Sequence, residues 1–289
     1  YLYDEKRFGV RYHKKLKQGP EVIEELNKLI KPFILRRKKK DVIKELPDKI
    51  EKILMVNLEQ EQKKVYKTYA NYAVELIGKK VKDDEFKHSK IEILSYITKL
   101  RQLCLDPAVI INDYSGGSGK IEALVELLIH SIAAGHRILI FSQFTTVLKN
   151  IGTRIKSEGI SYSYLDGSIP SEKRMTRVNA FNGGLNSVFL ISLKAGGTGL
   201  NLTSADVVIH FDPWWNPAVE EQATDRAHRI GQKNVVEVIK IIAKGTIEEK
   251  ILSIQDNKKK LIAELMGDEL SSGESFESLT EEEILGLFS

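Results

Sequence analysis

Gln222, Arg226 and Arg229 stand at i, i+4 and i+7 in residues 212–232, DPWWNPAVEEQATDRAHRIGQ. On a helix of about 3.6 residues per turn, those offsets gather one amide and two guanidiniums within about 60° of arc. Forked, permanently charged guanidiniums hold phosphate oxygens bidentately and without losing charge. That chemistry is the sensing of a nucleotide triphosphate. The bland alternative is a solvated face with pairs such as Asp225–Arg229, which contribute only about 0.2–0.5 kcal/mol each. Because the arginines follow a strand end and a glycine turn, function is the preferred reading.

The glycine turn is the second feature. Gly196, Gly197 and Gly199 expose backbone N–H groups and permit close approach of an anion or another backbone. Lys194, Thr198 and Asn201 surround them with charge and hydrogen-bonding capacity. A tight strand-to-helix turn is the structural alternative. A dinucleotide fingerprint is excluded, since Leu202 stands where its third glycine belongs. Residues 115–120, SGGSGK, resemble a phosphate-binding P-loop, but Tyr114 replaces the first glycine and Ile121 follows Lys120 in place of Ser or Thr. A flexible joint opening a helix accounts for it better.

The elements that must carry these residues read clearly after residue 115. Apolar, β-rich bursts fall at 137–142, 161–165, 187–192, 206–210 and 235–242. Helical patterns fill the gaps at 120–134, 144–158, 170–182, 217–230 and 246–266. Short apolar strands alternating with helices predict an α/β fold, a parallel sheet covered on both faces, with ligands beyond the carboxyl ends of its strands. In the 217–230 helix, Asn216 suits the N-cap and Pro217 the first turn. Val219, Ala223, Ala227 and Ile230 would anchor it, with Glu220, Glu221 and Asp225 further round. Trp214 and Trp215 precede it; core packing competes with stacking on a base or capping a neighbouring lobe.

The front third reads as helices. Residues 21–31 form a short candidate, and Val65, Tyr69, Tyr72, Ala73, Leu76 and Ile77 mark one buried face. Ile93, Tyr96, Ile97, Leu100, Leu103 and Cys104 mark another, with a polar loop over 78–90 between them. Residues 1–120 carry 27 Lys and Arg against 18 Asp and Glu, whereas residues 121–289 carry 17 against 22. A basic front half suits a polyanion or simply a solvated lysine-rich surface. The run Arg36 to Lys40 serves a localisation signal, a phosphate strip or a linker equally well. One cysteine, Cys104, excludes an internal disulfide and a multi-thiolate metal site, and the six histidines show no metal spacing. No apolar run approaches the ~20 residues that cross a bilayer. The expectation is an intracellular protein with no membrane contact and no resident metal.

The segment 212–232 resembles motif VI of the Swi/Snf-type ATPases, a branch of the superfamily 2 helicase-like translocases. ISLKAGGTGLNLTSADVVIHFD at 191–212 is similar to their motif V, RILIFSQF at 137–144 to motif IV, and YLDGSIPSEKR at 164–174 to the segment after it. KPFILRRKKKDVIKELPDK at 31–49 resembles the exit from the first ATPase lobe, and RQLCLDPAVI and SGKIEALVELL the lead-in to the second.

The resemblance implies a helical subdomain and inter-lobe linker over 1–115, a RecA-like lobe over 116–266 and an acidic tail over 267–289. It implies Arg226 and Arg229 as arginine fingers, with Gln222 orienting them or the attacking water. Gly197, Gly199 and Asn201 would line the nucleotide; Lys194, Thr198, Gly196, Ser142, Gln143 and Ser168 would meet the DNA backbone. ATP and Mg²⁺ would be held mainly by an N-terminal lobe of the same polypeptide, since the sequence lacks a P-loop and a DExH-like acidic motif. The chain alone would then be inactive, and an arginine finger accelerates hydrolysis only where another element already holds Mg²⁺ and the phosphates. The partners implied are double-stranded DNA and DNA-bound proteins, with a monomeric enzyme translocating along the duplex. A strand-separating helicase and a non-enzymatic nucleic-acid-binding module are the alternatives.

Overall fold

The computed structural model describes residues 46–82, 89–196 and 199–266, with residues 25, 28, 29, 284, 286 and 287 outside those stretches. Six strands form one sheet: β1 (Lys49–Val56), β2 (Ile138–Ser142), β3 (Tyr162–Leu165), β4 (Val188–Ser192), β5 (Val207–His210) and β6 (Val236–Ala243). Their spatial order is β1-β6-β5-β2-β4-β3, and every neighbouring pair is parallel. The expected RecA-like architecture holds: the five predicted strands occur within a residue of their expected ends.

Helices cover both faces. They are α1 (Gln60–Lys82), α2 (Lys90–Leu105), α3 (Gly119–Ala133), α4 (Thr145–Ser157), α5 (Ser171–Asn182), the single turn α6 (Leu193–Gly196), α7 (Pro217–Thr224) and α8 (Ile247–Met266). The period-2 alternation of strand side chains divides the core. Ile138, Ile140, Val188 and Leu190 pack with Leu124, Leu148 and Ile151 on one face. Leu139, Phe141, Phe189 and Ile191 pack with Val178, Phe181, Leu202 and Ala227 on the other. Fully buried strands of this kind need a nearly continuous apolar run, as β2 and β4 show, each with a serine only at its carboxyl end.

β1 differs from expectation. Residues 49–56 lie in the segment read as helical, yet they pair in register with β6, Lys49 beside Val236 and Val56 beside Ala243. KIEKILMV lacks the continuous apolar run of a central strand because it is an edge, exposed along most of its length. α1 also extends four residues past Gly78, to Lys82. The candidate helix at 21–31 and the basic run at 36–40 fall largely or wholly outside the described residues.

The helical front half is no separate body of packing. Tyr66, Ala73, Ile77, Ile93, Ile97 and Leu100 share a cluster with Trp215, Ile247 and Ile251, and Ile284 and Leu287 close it. Gly119 opens α3 where a Cβ would meet the Asn57 carbonyl at 2.2 Å. Ser118 caps that helix, its Oγ accepting from Ile121 N at 3.3 Å. Lys120 is wholly buried and donates to both Glu248 oxygens, at 2.9 and 2.8 Å. The glycine cluster is thus the joint it was expected to be, and its lysine is a core cation.

Candidate functional site

The carboxyl edge of the sheet gathers one set of expected residues. Gln143 follows β2; its backbone N–H donates to Asp212 Oδ1 at 3.2 Å, and its side-chain Nε2 is buried with no hydrogen bond. Ser168 is exposed after β3, tied to the buried Asp166 by its Oγ at 2.5 Å and its N–H at 2.9 Å. Those bonds, the Ser168 hydroxyl foremost, hold the Asp166 carboxyl below its ordinary pKa even against burial. Lys194 is exposed on α6, which Gly196 ends. Gly197 and Thr198 lie outside the described residues. Gly199 has a left-handed φ of 48°, and Asn201 is exposed, its carbonyl accepting from Asn182 Nδ2 at 2.8 Å.

Ser142 is a correction. It is 1% exposed, and its hydroxyl accepts from Phe144 N–H at 3.1 Å and bonds the Asp212 carboxylate. As the last residue of a central strand it points inward, so it shapes the Gln143 turn and does not face a polyanion.

The arginine segment departs from the expected helix. Asn216 Oδ1 does cap α7, accepting from Ala218 N at 3.0 Å. The helix then stops at Thr224, six residues short of the predicted end. Arg226 N–H and Ala227 N–H donate to Ala223 and Thr224 carbonyls three residues back, and the Arg226 carbonyl accepts from Leu202 N–H at 2.9 Å. That last bond removes the acceptor a continuing helix would offer to Ile230. Gly231, at φ 99°, turns the chain toward β6. Ile230 is consequently 69% exposed and no part of the anchoring stripe, whereas Val219, Ala223 and Ala227 pack as expected.

Gln222 is exposed on α7, Arg226 is buried beyond its end, and Arg229 is exposed. Tertiary bonds, and not helix pitch, set their relation. Burial lowers the Arg226 pKa, the charge of Arg229 lowers it further, and Asp225 opposes both.

This turn lies toward the amino ends of the strands, opposite the Gln143 edge. His228 Nε2 donates to the Pro47 carbonyl at 2.8 Å, Gln232 Nε2 to the Ala205 carbonyl at 2.7 Å, and Lys49 pairs with Glu221 at 2.6 Å. Residues 193–196 leave the carboxyl end of β4, and residues 199–205 lead to the amino end of β5. The Leu202–Arg226 bond ties that segment to the arginines.

Beneath α7 sits a polar network that the sequence did not reveal. Glu220, read only as lying further round from the apolar stripe, is buried and pairs with Lys240 at 2.5 Å; its Oε1 accepts from Trp214 N–H and Gln255 Nε2, both at 2.7 Å. Lys240 and its other partners keep the Glu220 pKa low against burial. His210 Nε2 lies 2.9 Å from Thr224 Oγ1, and burial depresses its pKa to about 4, so the imidazole is neutral.

Both tryptophans pack around a second unforeseen residue. Arg101, wholly buried, donates to Asp212 Oδ2 at 3.2 Å and to the Pro213 carbonyl at 2.7 Å. Its guanidinium lies 5.5, 5.6 and 5.2 Å from the rings of Phe144, Trp214 and Trp215. The available signal was position: Arg101 falls four residues after Ile97 on the apolar stripe of α2.

Among the described residues no cluster of three or more His, Cys, Asp or Glu could hold a metal ion, and Lys120 is consumed by Glu248. The described residues thus offer no carboxylate cluster that would hold Mg²⁺. No helix among the described residues is long and apolar enough to cross a membrane.

A parallel RecA-like sheet with an arginine turn and a polar carboxyl edge defines a helicase-type second lobe. Residues 119–231 match the helicase conserved C-terminal domain, and residues 3–109 the SNF2-related domain. β1 lies inside the second match yet belongs to the sheet of the first. The C-terminal domain of the Sulfolobus solfataricus SWI2/SNF2 ATPase is 33% identical, with 83% of this chain and 98% of that one aligned at a TM-score of 0.64. The core of that ATPase in complex with double-stranded DNA is 34% identical over 92% of this chain and 57% of that one, TM-score 0.62. An uncharacterized ATP-dependent helicase of Mycoplasma pneumoniae is 44% identical over 261 residues, 89% of this chain and 24% of that protein. The chain belongs to the Swi/Snf ATPase family. It spans 24% and 27% of the length of the first two curated relatives it matches.

Proposed function

We propose that this chain is the C-terminal lobe of an ATP-driven translocase on double-stranded DNA that remodels DNA-bound proteins. Arg226 and Arg229 are its arginine fingers, stabilising negative charge on a triphosphate held with Mg²⁺ by an N-terminal lobe of the same polypeptide. Gln222 orients the fingers or the attacking water, and Gly197, Gly199 and Asn201 border the nucleotide. Gln143, Ser168, Lys194, Gly196 and Thr198 meet the DNA backbone. The domain division at residues 115 and 266 follows the same reading, except that β1 serves the lobe from inside the front segment. The enzyme works inside the cell, on DNA.

The observation that carries this reading is that Arg226, buried beyond the end of α7, and the exposed Arg229 stand at one turn, with Asp225 the carboxylate beside them. In the full-length protein, Arg226→Ala or Arg229→Ala should lower ATP turnover by roughly 10³–10⁵. Duplex affinity should stay near the wild-type value. Turnover and DNA binding lost in equal measure would remove the finger role.

A further inference from the structure

We propose that Arg101 is a positioning residue that transmits DNA engagement at Gln143 to the arginine-bearing segment, through Asp212 and the Pro213–Trp214 turn. The inference rests on the function proposed above. Its physical basis is that Arg101 adds a side-chain link between two segments that already meet through the Phe211–Phe141 backbone bond and through Asp212.

One segment is the carboxyl end of β2. Gln143 N–H is bonded to Asp212 Oδ1, and the ring of Phe144, the next residue, lies 5.5 Å from the Arg101 guanidinium. The other segment is the turn that enters α7. Arg101 holds Asp212 Oδ2 at 3.2 Å and the Pro213 carbonyl at 2.7 Å, and the Trp214 ring lies 5.6 Å away. Trp214 N–H then donates to Glu220 Oε1 at 2.7 Å, in the first turn of α7 and two residues before Gln222. Any movement of the Gln143 backbone must carry Asp212 with it or break a bond. The guanidinium converts that movement into movement of the Pro213–Trp214 peptide.

Packing alone does not call for an arginine here. Replacing a buried ion pair by apolar side chains of similar volume is often neutral or stabilising. What an apolar side chain cannot supply is a donor, here Nη2, that binds a carboxylate and a carbonyl together while rings from both segments rest against a flat cation. The polar route therefore costs desolvation and returns a fixed geometry between the two edges of the site.

The test is steady-state ATP turnover of the full-length protein with and without duplex DNA, for wild type, Arg101→Lys, and the double variant Arg101→Met with Asp212→Asn. The double variant removes both buried charges together, so it folds even where a single change does not. DNA stimulation is expected to drop about tenfold or more in both, within the usual range of coupling between sites. DNA-free turnover and duplex affinity should stay at the wild-type level. The thermal midpoint of the double variant should match or exceed wild type. Full DNA stimulation in the double variant overturns the proposal, as does a parallel fall of stimulated and DNA-free rates, the mark of a purely structural residue. A wild-type enzyme with no DNA stimulation fails earlier and overturns the translocase reading itself.

Discussion

Two buried cations, each beside a glycine turn, meet different environments. Lys120 opens α3 with both oxygens of Glu248 within 2.9 Å and the Phe211 ring 5.1 Å from its ammonium. Arg226 closes the α7 turn with Arg229 as a like-charged neighbour. The first charge is neutralised inside the protein and binds α3 to α8. The second shares its turn with Arg229 and the Asp225 carboxylate, and burial and Arg229 together outweigh Asp225. Sequence alone set the SGGSGK loop aside because Tyr114 and Ile121 break its pattern, but it could not show that Lys120 is a buried partner of Glu248. Burial sorts structural from functional charge only when the sign of the neighbour is known.

The sharpest way to break that contrast is Lys120→Met. Leaving the Glu248 carboxylate buried without its cation should cost about 3–5 kcal/mol of stability, read by urea unfolding. Turnover per folded molecule of the full-length enzyme should not change. A variant that folds normally but loses nucleotide binding would make Lys120 a phosphate ligand after all.

A smaller effect belongs to His210, which braces Thr224 just before Arg226. Its folded pKa of about 4 sits below the ordinary 6.5, so between those values the unfolded chain binds the additional proton. Stability from this group is complete above pH 6.5 and declines as pH falls toward 4. At pH 5 the loss should be about 2 kcal/mol. Unfolding curves of wild type and His210→Asn at neutral pH and pH 5 should differ by that much in slope with pH; identical pH dependence would remove His210 as the cause.

The smallest effect sharpens the local side of the comparison. Asn216→Ala deletes the α7 cap and should cost about 1 kcal/mol in thermal unfolding. A loss no larger than that of an exposed surface substitution would mean that Pro217 and the buried Glu220 network alone start the helix.

Most of the sheet was legible because a central parallel strand must be almost continuously apolar. The bursts at 137–142 and 187–192 meet that demand and occur as β2 and β4. β1 was not legible, since an edge strand escapes the demand and KIEKILMV reads as an ordinary charged segment. The Asn216–Pro217 start of α7 was legible from local chemistry. Its end was not, because Leu202, more than twenty residues earlier, claims the Arg226 carbonyl. Ile230 was misplaced for the same reason. Arg101, Glu220 and Lys240 escaped notice because a buried charge is recognised only through its partner, and these partners lie far away in sequence.

Local pattern therefore determined most element types and the motifs that carry the family, through effects that act within a few residues. Which edge of the sheet each candidate occupies, and which charges surround a buried cation, was decided by contacts between distant segments. Side-chain periodicity is a one-dimensional property, whereas electrostatic environment depends on every charge within a few ångströms in space.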